Sequence, residues 1–201
     1  MGKSSGSDRK GMKNDGAGNY KGEIKNEESL TNIKDRELQR EIQQGISKYE
    51  SRLGLRTNNI MLADLDGAYG VHVTIAGQSA GVYLSKKHFK NTTVEKVIKV
   101  KKEGYKTKFS TPTNKPAQHT HIHELGHSTW NSHLRSENAI KAKKSITQMY
   151  KTFKKEKPRA YGSYAYSNVN EFWAEATAKA VLGKSDKYTR FVKSTIKKYK
   201  L

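Results

Sequence analysis

The stretch from Ile60 to Leu84, IMLADLDGAYGVHVTIAGQSAGVYL, carries nearly all the strand signal in the chain. Apolar residues alternate at Tyr69, Val71, Val73 and Ile75, the period that puts every second side chain on one face of a strand. Gly77-Gln78-Ser79 predicts a turn into Val82-Tyr83-Leu84, and the run Ile60 to Ala63 adds a further short strand, so two or three antiparallel strands are expected. Outward on both sides the period changes to that of a helix. Upstream, Leu38, Ile42, Ile46, Tyr49 and Leu53 recur at helical spacing from Ile33 onward, and Gly54 supplies a stop. Downstream, Thr92 with Glu95 opens a short helix to Gly104, and Tyr105 to Thr113 reads as a linker. Helical segments follow from near Pro116, from Ser136 to about Glu156, from Asn168 to Leu182, and through Tyr188, Phe191, Val192, Ile196 and Tyr199. Strands gathered between helices predict an α+β fold: a small antiparallel or mixed sheet, then a mostly helical C-terminal half. No internal repeat is visible.

The 201 residues suit one domain, expected over 30–201. Residues 1–29 contain six glycines and almost no aliphatic side chains, so they read as a flexible tail. With no cysteine, the chain lacks disulfides, thiolate nucleophiles and Cys-ligated metal, which leaves His and carboxylate as strong ligands. No apolar run is long enough for a membrane span, and the N-terminus has no apolar segment of the kind a classical export signal requires. Met1-Gly2 resembles the start of a myristoylation site, but Gly6 stands where Ser or Thr is needed. A soluble protein is expected, in the cytoplasm, with a virion, or exported by a non-classical route.

Five of the seven histidines fall between 119 and 133, and among them is His123-Glu124-Leu125-Gly126-His127, of the form H-E-x-x-H. A chain with 7 His and this acidic content meets that pattern by chance far less than once. On a helix, residues four apart lie one above the other, so His123 and His127 can reach one Zn²⁺ with Glu124 beside it as general base. The plain alternative is a polar helix with solvated histidines.

A catalytic zinc needs a third protein ligand. His133 lies ten residues after His123, at metzincin spacing, but Trp130 stands where the turning glycine belongs. Glu171 is the stronger candidate: in Asn168-Val169-Asn170-Glu171-Phe172-Trp173-Ala174-Glu175-Ala176 it shares a helix face with Glu175, on a helix rich in small residues that can pack closely against Gly126. Asn168 and Glu171 also make a capping-box pattern, which would need no metal. Between 111 and 201 there are 18 bases and only six acids, three of them inside these two motifs. Two carboxylates four apart repel unless a cation lies near them, which favours Glu171 as ligand and Glu175 as acceptor for a ligand imidazole N–H.

These two motifs, with Ser163-Tyr164 between them and Val82 to Phe89 upstream, resemble the zinc metallopeptidase family of the anthrax lethal factor catalytic domain and the Pro-Pro endopeptidases, which also occurs attached to phage minor head proteins. The resemblance is sharp over two windows of some fifteen residues and loose over 80–201. It implies a zincin-like fold in which H-E-x-x-H forms the active-site helix. It also implies that Glu171 is the third zinc ligand, that Glu175 supports the site, and that a peptide lies extended along an edge strand. In that family a tyrosine seven residues before the third ligand donates to the oxyanion, a position held here by Tyr164. The family's Tyr-Gly pair falls instead on Tyr161-Gly162, so Tyr161 is a second candidate and Tyr166 a third; all three also suit plain packing. His119, one turn before His123, could face the same cleft but lacks the carboxylate cluster of a second metal site, and His121, His72 and His88 read as structural or surface.

The balance of 39 bases to 19 acids gives a net charge of +20, with lysines crowded between Lys141 and Lys157 and again from Lys193 to Lys200. Such charge suits a solvated helix face, and it would also attract nucleic acid or another polyanion at low salt. The sequence therefore leads to a zinc-dependent metalloendopeptidase with a peptide or protein substrate, and association with a phage particle fits the resemblance. The alternative is a non-catalytic basic protein, associated with DNA or a phage structure, that carries a structural or vestigial zinc site.

Overall fold

Helix α1 (Arg36–Leu53) begins where the Asp35 carboxylate accepts the Leu38 N–H at 2.7 Å, and it ends at Gly54, whose φ of 68° is the left-handed conformation that glycine adopts without strain. The computed structural model that shows this describes residues 22–57, 59–75, 78–131 and 136–201. Residues 1–21 of the expected tail, Gly77 of the expected turn, and His133 lie outside the described residues.

Four strands form one mixed sheet: β1 (Lys25–Ser29), β2 (Ile60–Asp64), β3 (Gly70–Ile75) and β4 (Gln78–Ser85), in the order β1-β2-β4-β3. The β3–β4 hairpin is antiparallel as expected, with Val71 opposite Tyr83 and His72 opposite Val82. Two features depart from the expectation. Strand β4 folds back between β2 and β3, so it pairs parallel to β2, with Ile60 opposite Val82 and Leu62 opposite Leu84. Residues 25–29, read from composition as the end of a flexible tail, form the antiparallel edge strand β1. Backbone pairing and charge hold that strand, since none of its residues is apolar: Glu28 meets Lys86 at 3.0 Å and Lys90 at 2.6 Å.

Strand β4 runs directly into the short helix α2 (Lys86–Phe89), and α3 (Val94–Lys106) follows. Thr93, one residue later than expected, caps α3 by accepting the Lys96 N–H, and the helix continues two residues past Gly104. After a loop and a single 3₁₀ turn at Pro116–Gln118 comes α4 (His119–Asn131), which carries the H-E-x-x-H motif. Then follow α5 (Glu137–Glu156), a 3₁₀ turn at Ser163–Tyr166, α6 (Val169–Leu182) and α7 (Lys187–Tyr199). The fold is α+β, a small mixed sheet followed by helices. Among the described residues no helix is long and apolar enough to cross a membrane.

The larger core lies among the C-terminal helices, around Phe153, Phe172, Trp173, Val181 and Ile196. A second cluster, with Leu38, Ile42, Leu62, Leu84 and Phe89, joins α1, α2 and α3 to one face of the sheet. In α5 the buried face is Ala139, Ala142, Ile146 and Phe153, while Ile140 is 48% exposed. Helix α6 is buried from Glu171 through Leu182, on every side, as a central helix must be.

Candidate metal centre

Two close helix contacts fix the motif helix. A Cβ on Gly126 of α4 would stand 2.8 Å from the Ala174 Cα of α6, so the lack of a side chain there lets the two backbones nearly touch. On the other side, Tyr49 of α1 donates its hydroxyl to the Leu125 carbonyl at 3.1 Å and also meets the Thr129 hydroxyl. Across the sheet, the edge strand turns polar residues toward α4. Val71 and Val73 pack with Ala63 and Tyr83 on the far face, while His72 Nε2 lies 2.9 Å from Ser79 Oγ, itself 3.1 Å from Ser128 Oγ of α4. Gly70, at the start of β3, lies over the motif: its Cβ would fall 3.0 Å from Glu124 Cγ and 3.1 Å from Thr120 Cγ2.

With α4 and α6 held this closely, three side chains converge. His123 Nε2 is 3.1 Å from Glu171 Oε2, His127 Nε2 is 3.3 Å from the same oxygen, and the two Nε2 atoms are 3.2 Å apart. All three residues are buried. Tetrahedral zinc with bonds of ~2.0–2.2 Å spaces its donors about 3.3–3.6 Å apart, so this nearly equilateral triangle fits such an ion to within a few tenths of an ångström. The buried Glu171 Oε2 faces both imidazole nitrogens, where one ion could be shared by all three atoms. A buried His123, His127, Glu171 group able to hold a metal ion is therefore present.

The surrounding charges suit a cation. Burial opposes charge on His123, yet its hydrogen bonds to Glu171 and Glu175 outweigh that and raise its pKa to about 10. Burial likewise opposes ionisation of Glu171, and the two imidazoles overcome it, lowering its pKa to about 2. Glu175 is held well below the ordinary carboxylate range against complete burial, chiefly by His119 and His123. Two ionised carboxylates in one dry pocket require compensating positive charge, which protons or a divalent ion can supply.

The Glu175 Oε1 lies 3.0 Å from His123 Nδ1, on the side of the ring away from the Nε2 that meets Glu171, and its Oε2 accepts the Thr111 N–H at 2.8 Å. Asn168 caps α6 by accepting the Asn170 and Glu171 N–H groups, but the Glu171 side chain turns to the histidines and does not complete a capping box.

The tyrosines separate clearly. Tyr164 stacks on His123 with ring centroids 5.7 Å apart, and it is steered there by the loop before α4, where Ser163 N–H donates to the Lys108 carbonyl and Tyr164 N–H to that of Phe109. Burial keeps its phenol protonated, reinforced by the charges of Glu171 and Glu124 and by a hydrogen bond to Glu171. Tyr161, also expected as a catalytic candidate, is not brought to the group: it is 5% exposed in the helical core, its hydroxyl donating to Asp186 Oδ1 at 3.2 Å. Tyr166 donates to the Pro158 carbonyl. Glu124 is buried beside the group and under Gly70.

His119 is buried 3.6 Å from Glu175 Oε2, and burial lowers its pKa. His121 is buried against Gly45 of α1, where burial lowers its pKa to about 3, so it is a neutral packing residue. His72 and His88 lie outside the triad, His88 stacked on Tyr69.

Sequence reading missed Thr111 and Gly70. The Thr111 contribution is a backbone N–H and leaves no side-chain signal. Gly70 was findable, since a glycine within a strand often marks a close approach by another group. No family model, no curated protein and no solved structure matches this chain.

Proposed function

We propose that the chain is a zinc-dependent metallopeptidase. The observation that carries this reading is the convergence of two imidazole nitrogens and one carboxylate oxygen at 3.1–3.3 Å, with a further carboxylate, Glu124, on the turn between the two histidines. His123, His127 and Glu171 are the ligands in this reading, and a Zn²⁺ held by them supplies Lewis acidity that polarises the scissile carbonyl and makes water nucleophilic at neutral pH. Glu124 accepts the proton of the attacking water and delivers it to the amine nitrogen as the C–N bond breaks. Tyr164, kept protonated, donates its O–H to the oxygen that gains negative charge. Glu175 holds His123 in the tautomer whose Nε2 lone pair faces inward. Strand β3, at the edge of the sheet with Gly70 above Glu124, supports an extended peptide lying along that edge.

The test is metal content followed by turnover. Purified protein is expected to retain about one zinc per chain and to cleave peptides from a mixed library. Glu124→Gln is expected to lose at least 10²-fold in kcat with its zinc retained. Protein that folds without zinc and binds none when it is supplied overturns the reading. The competing reading, a non-catalytic polyanion-binding protein, draws on the basic face of α5, where Lys143, Lys144 and Lys151 border a shallow groove. Under that reading DNA retention falls with salt, is indifferent to chelator, and no peptide is cut.

A further inference from the structure

Next to Glu124, on the side toward the start of α4, lies a cavity of about 100 Å³, large enough for several waters or the end of one side chain. Its lining includes Tyr69, His88, Thr120 and three lysines, Lys87, Lys96 and Lys101, and no acidic residue lines it. Thr120 ties it to the candidate site. It lies one helical turn before Glu124, and both side chains crowd beneath Gly70, at 3.1 and 3.0 Å from where a Cβ would stand. A chain running along β3 over Glu124 therefore passes the mouth of this cavity within a residue or so.

Two residues that line the cavity, Thr120 and Lys101, carry polar groups with few partners among the described residues. Thr120 is 4% exposed, and its hydroxyl has no hydrogen-bond partner. Among the described residues, Lys101 forms no ion pair within 4 Å; its ammonium sits 5.9 Å from the centre of the Tyr69 ring. A small space lined by three lysines and by no acidic residue is the complement of a carboxylate.

We infer that this cavity is a specificity pocket for a substrate carboxylate, with Lys101 receiving an acidic group close to the bond that Glu124 acts on. This rests on the peptidase reading above. The carboxylate is either the side chain of an internal Asp or Glu or the free C-terminus of a short peptide. Lys101 supports the assignment: burial lowers its pKa, opposed at a distance by Glu175 and Glu124, so a bound carboxylate would relieve the desolvation of that ammonium.

The experiment measures binding separately from turnover. Calorimetry on zinc-supplied Glu124→Gln full-length protein compares three peptides of one sequence: end-capped with an internal Glu, end-capped with Gln there, and the Gln peptide with a free C-terminal carboxylate. At least one carboxylate peptide is expected to bind tenfold or more tighter than the capped neutral one, and the one that gains identifies the source. Adding Lys101→Met is expected to bring all three within twofold, and Lys101→Arg to keep the preference, which separates loss of charge from loss of folding. Equal affinities, or a preference that survives Lys101→Met, overturn the pocket. If the preference depends on Lys101 but unsubstituted zinc-supplied protein cuts none of the peptides or a mixed library, the peptidase reading falls and a carboxylate site remains. If peptides are cut with no acidic preference, the pocket falls and the peptidase stands.

Discussion

The two tyrosines three residues apart show how position decides chemistry. Tyr164 faces a buried carboxylate beside His123, whereas the Tyr161 hydroxyl is spent on Asp186 within the aromatic cluster of Phe153 and Tyr188. Tyr164→Phe is expected to lower kcat by about 10²–10³ with zinc content and melting temperature nearly unchanged. Tyr161→Phe is expected to leave kcat alone and to cost about 1 kcal/mol in a denaturant titration. Equal effects of the two substitutions on kcat would contradict the division of roles. The motif supplied His123, Glu124 and His127 directly, because four-residue spacing on a helix is a local property. Glu171 and Glu175 were legible from the residues as a repelling pair in a basic region, an indirect sign that positive charge is needed nearby, and otherwise through the family resemblance. The resemblance put Tyr164 ahead of Tyr161 but left both open, since their placement depends on the loop at Lys108 and Phe109 pairing with residues more than fifty positions later.

Among the elements, the helices followed mainly from their periodicity; Asp35, Ser136 and Asp186 each accept backbone N–H groups as N-caps, though only Ser136 was read as a helix start. The sheet was less legible. Lys25-Asn26-Glu27-Glu28-Ser29 has no apolar alternation, so nothing local marks it as a strand; its partners, Lys86 and Lys90, come some sixty residues later. The parallel pairing of β2 with β4 is likewise a matter of topology and not of pattern. Hydrogen bonds from Lys90, then Lys86 and Asn32, lower the Glu28 pKa from 4.5 to about 2. A depressed folded-state pKa contributes stability that is complete above the unfolded value and is lost as pH falls through the folded one. Protection of the β1 amides, corrected for intrinsic exchange rate, is therefore expected to hold from pH 7 to 5 and to fall between about pH 4.5 and 2. In Glu28→Gln that step is expected to be absent; an identical step there would assign it to another group.

For the whole molecule, two opposing electrostatic features meet. The chain carries +20 overall, yet its interior concentrates Glu124, Glu171 and Glu175 around one point. Self-repulsion on the outside weakens the fold, while an ion on the inside would bind only the folded state. If that ion is the proposed zinc, free zinc 100-fold above its Kd would stabilise the fold by about 2.7 kcal/mol. For a domain of this length that corresponds to roughly 5–11 °C. Scanning calorimetry with and without chelator is expected to show a drop of that size, and the Glu171→Gln protein to show little or none. A chelator effect of equal size in Glu171→Gln would place the stabilising ion elsewhere.

Helix α6 is enclosed by its neighbours along nearly its whole length, and it contributes both an inner ligand oxygen and the carboxylate that orients the first imidazole. A ligand set anchored to the innermost rod of a protein shares that rod's opening frequency. An ion held there would escape only on disruption of the aromatic cluster around Phe153 and Phe172, so the lifetime of a loaded state would be governed by residues that never approach the ion.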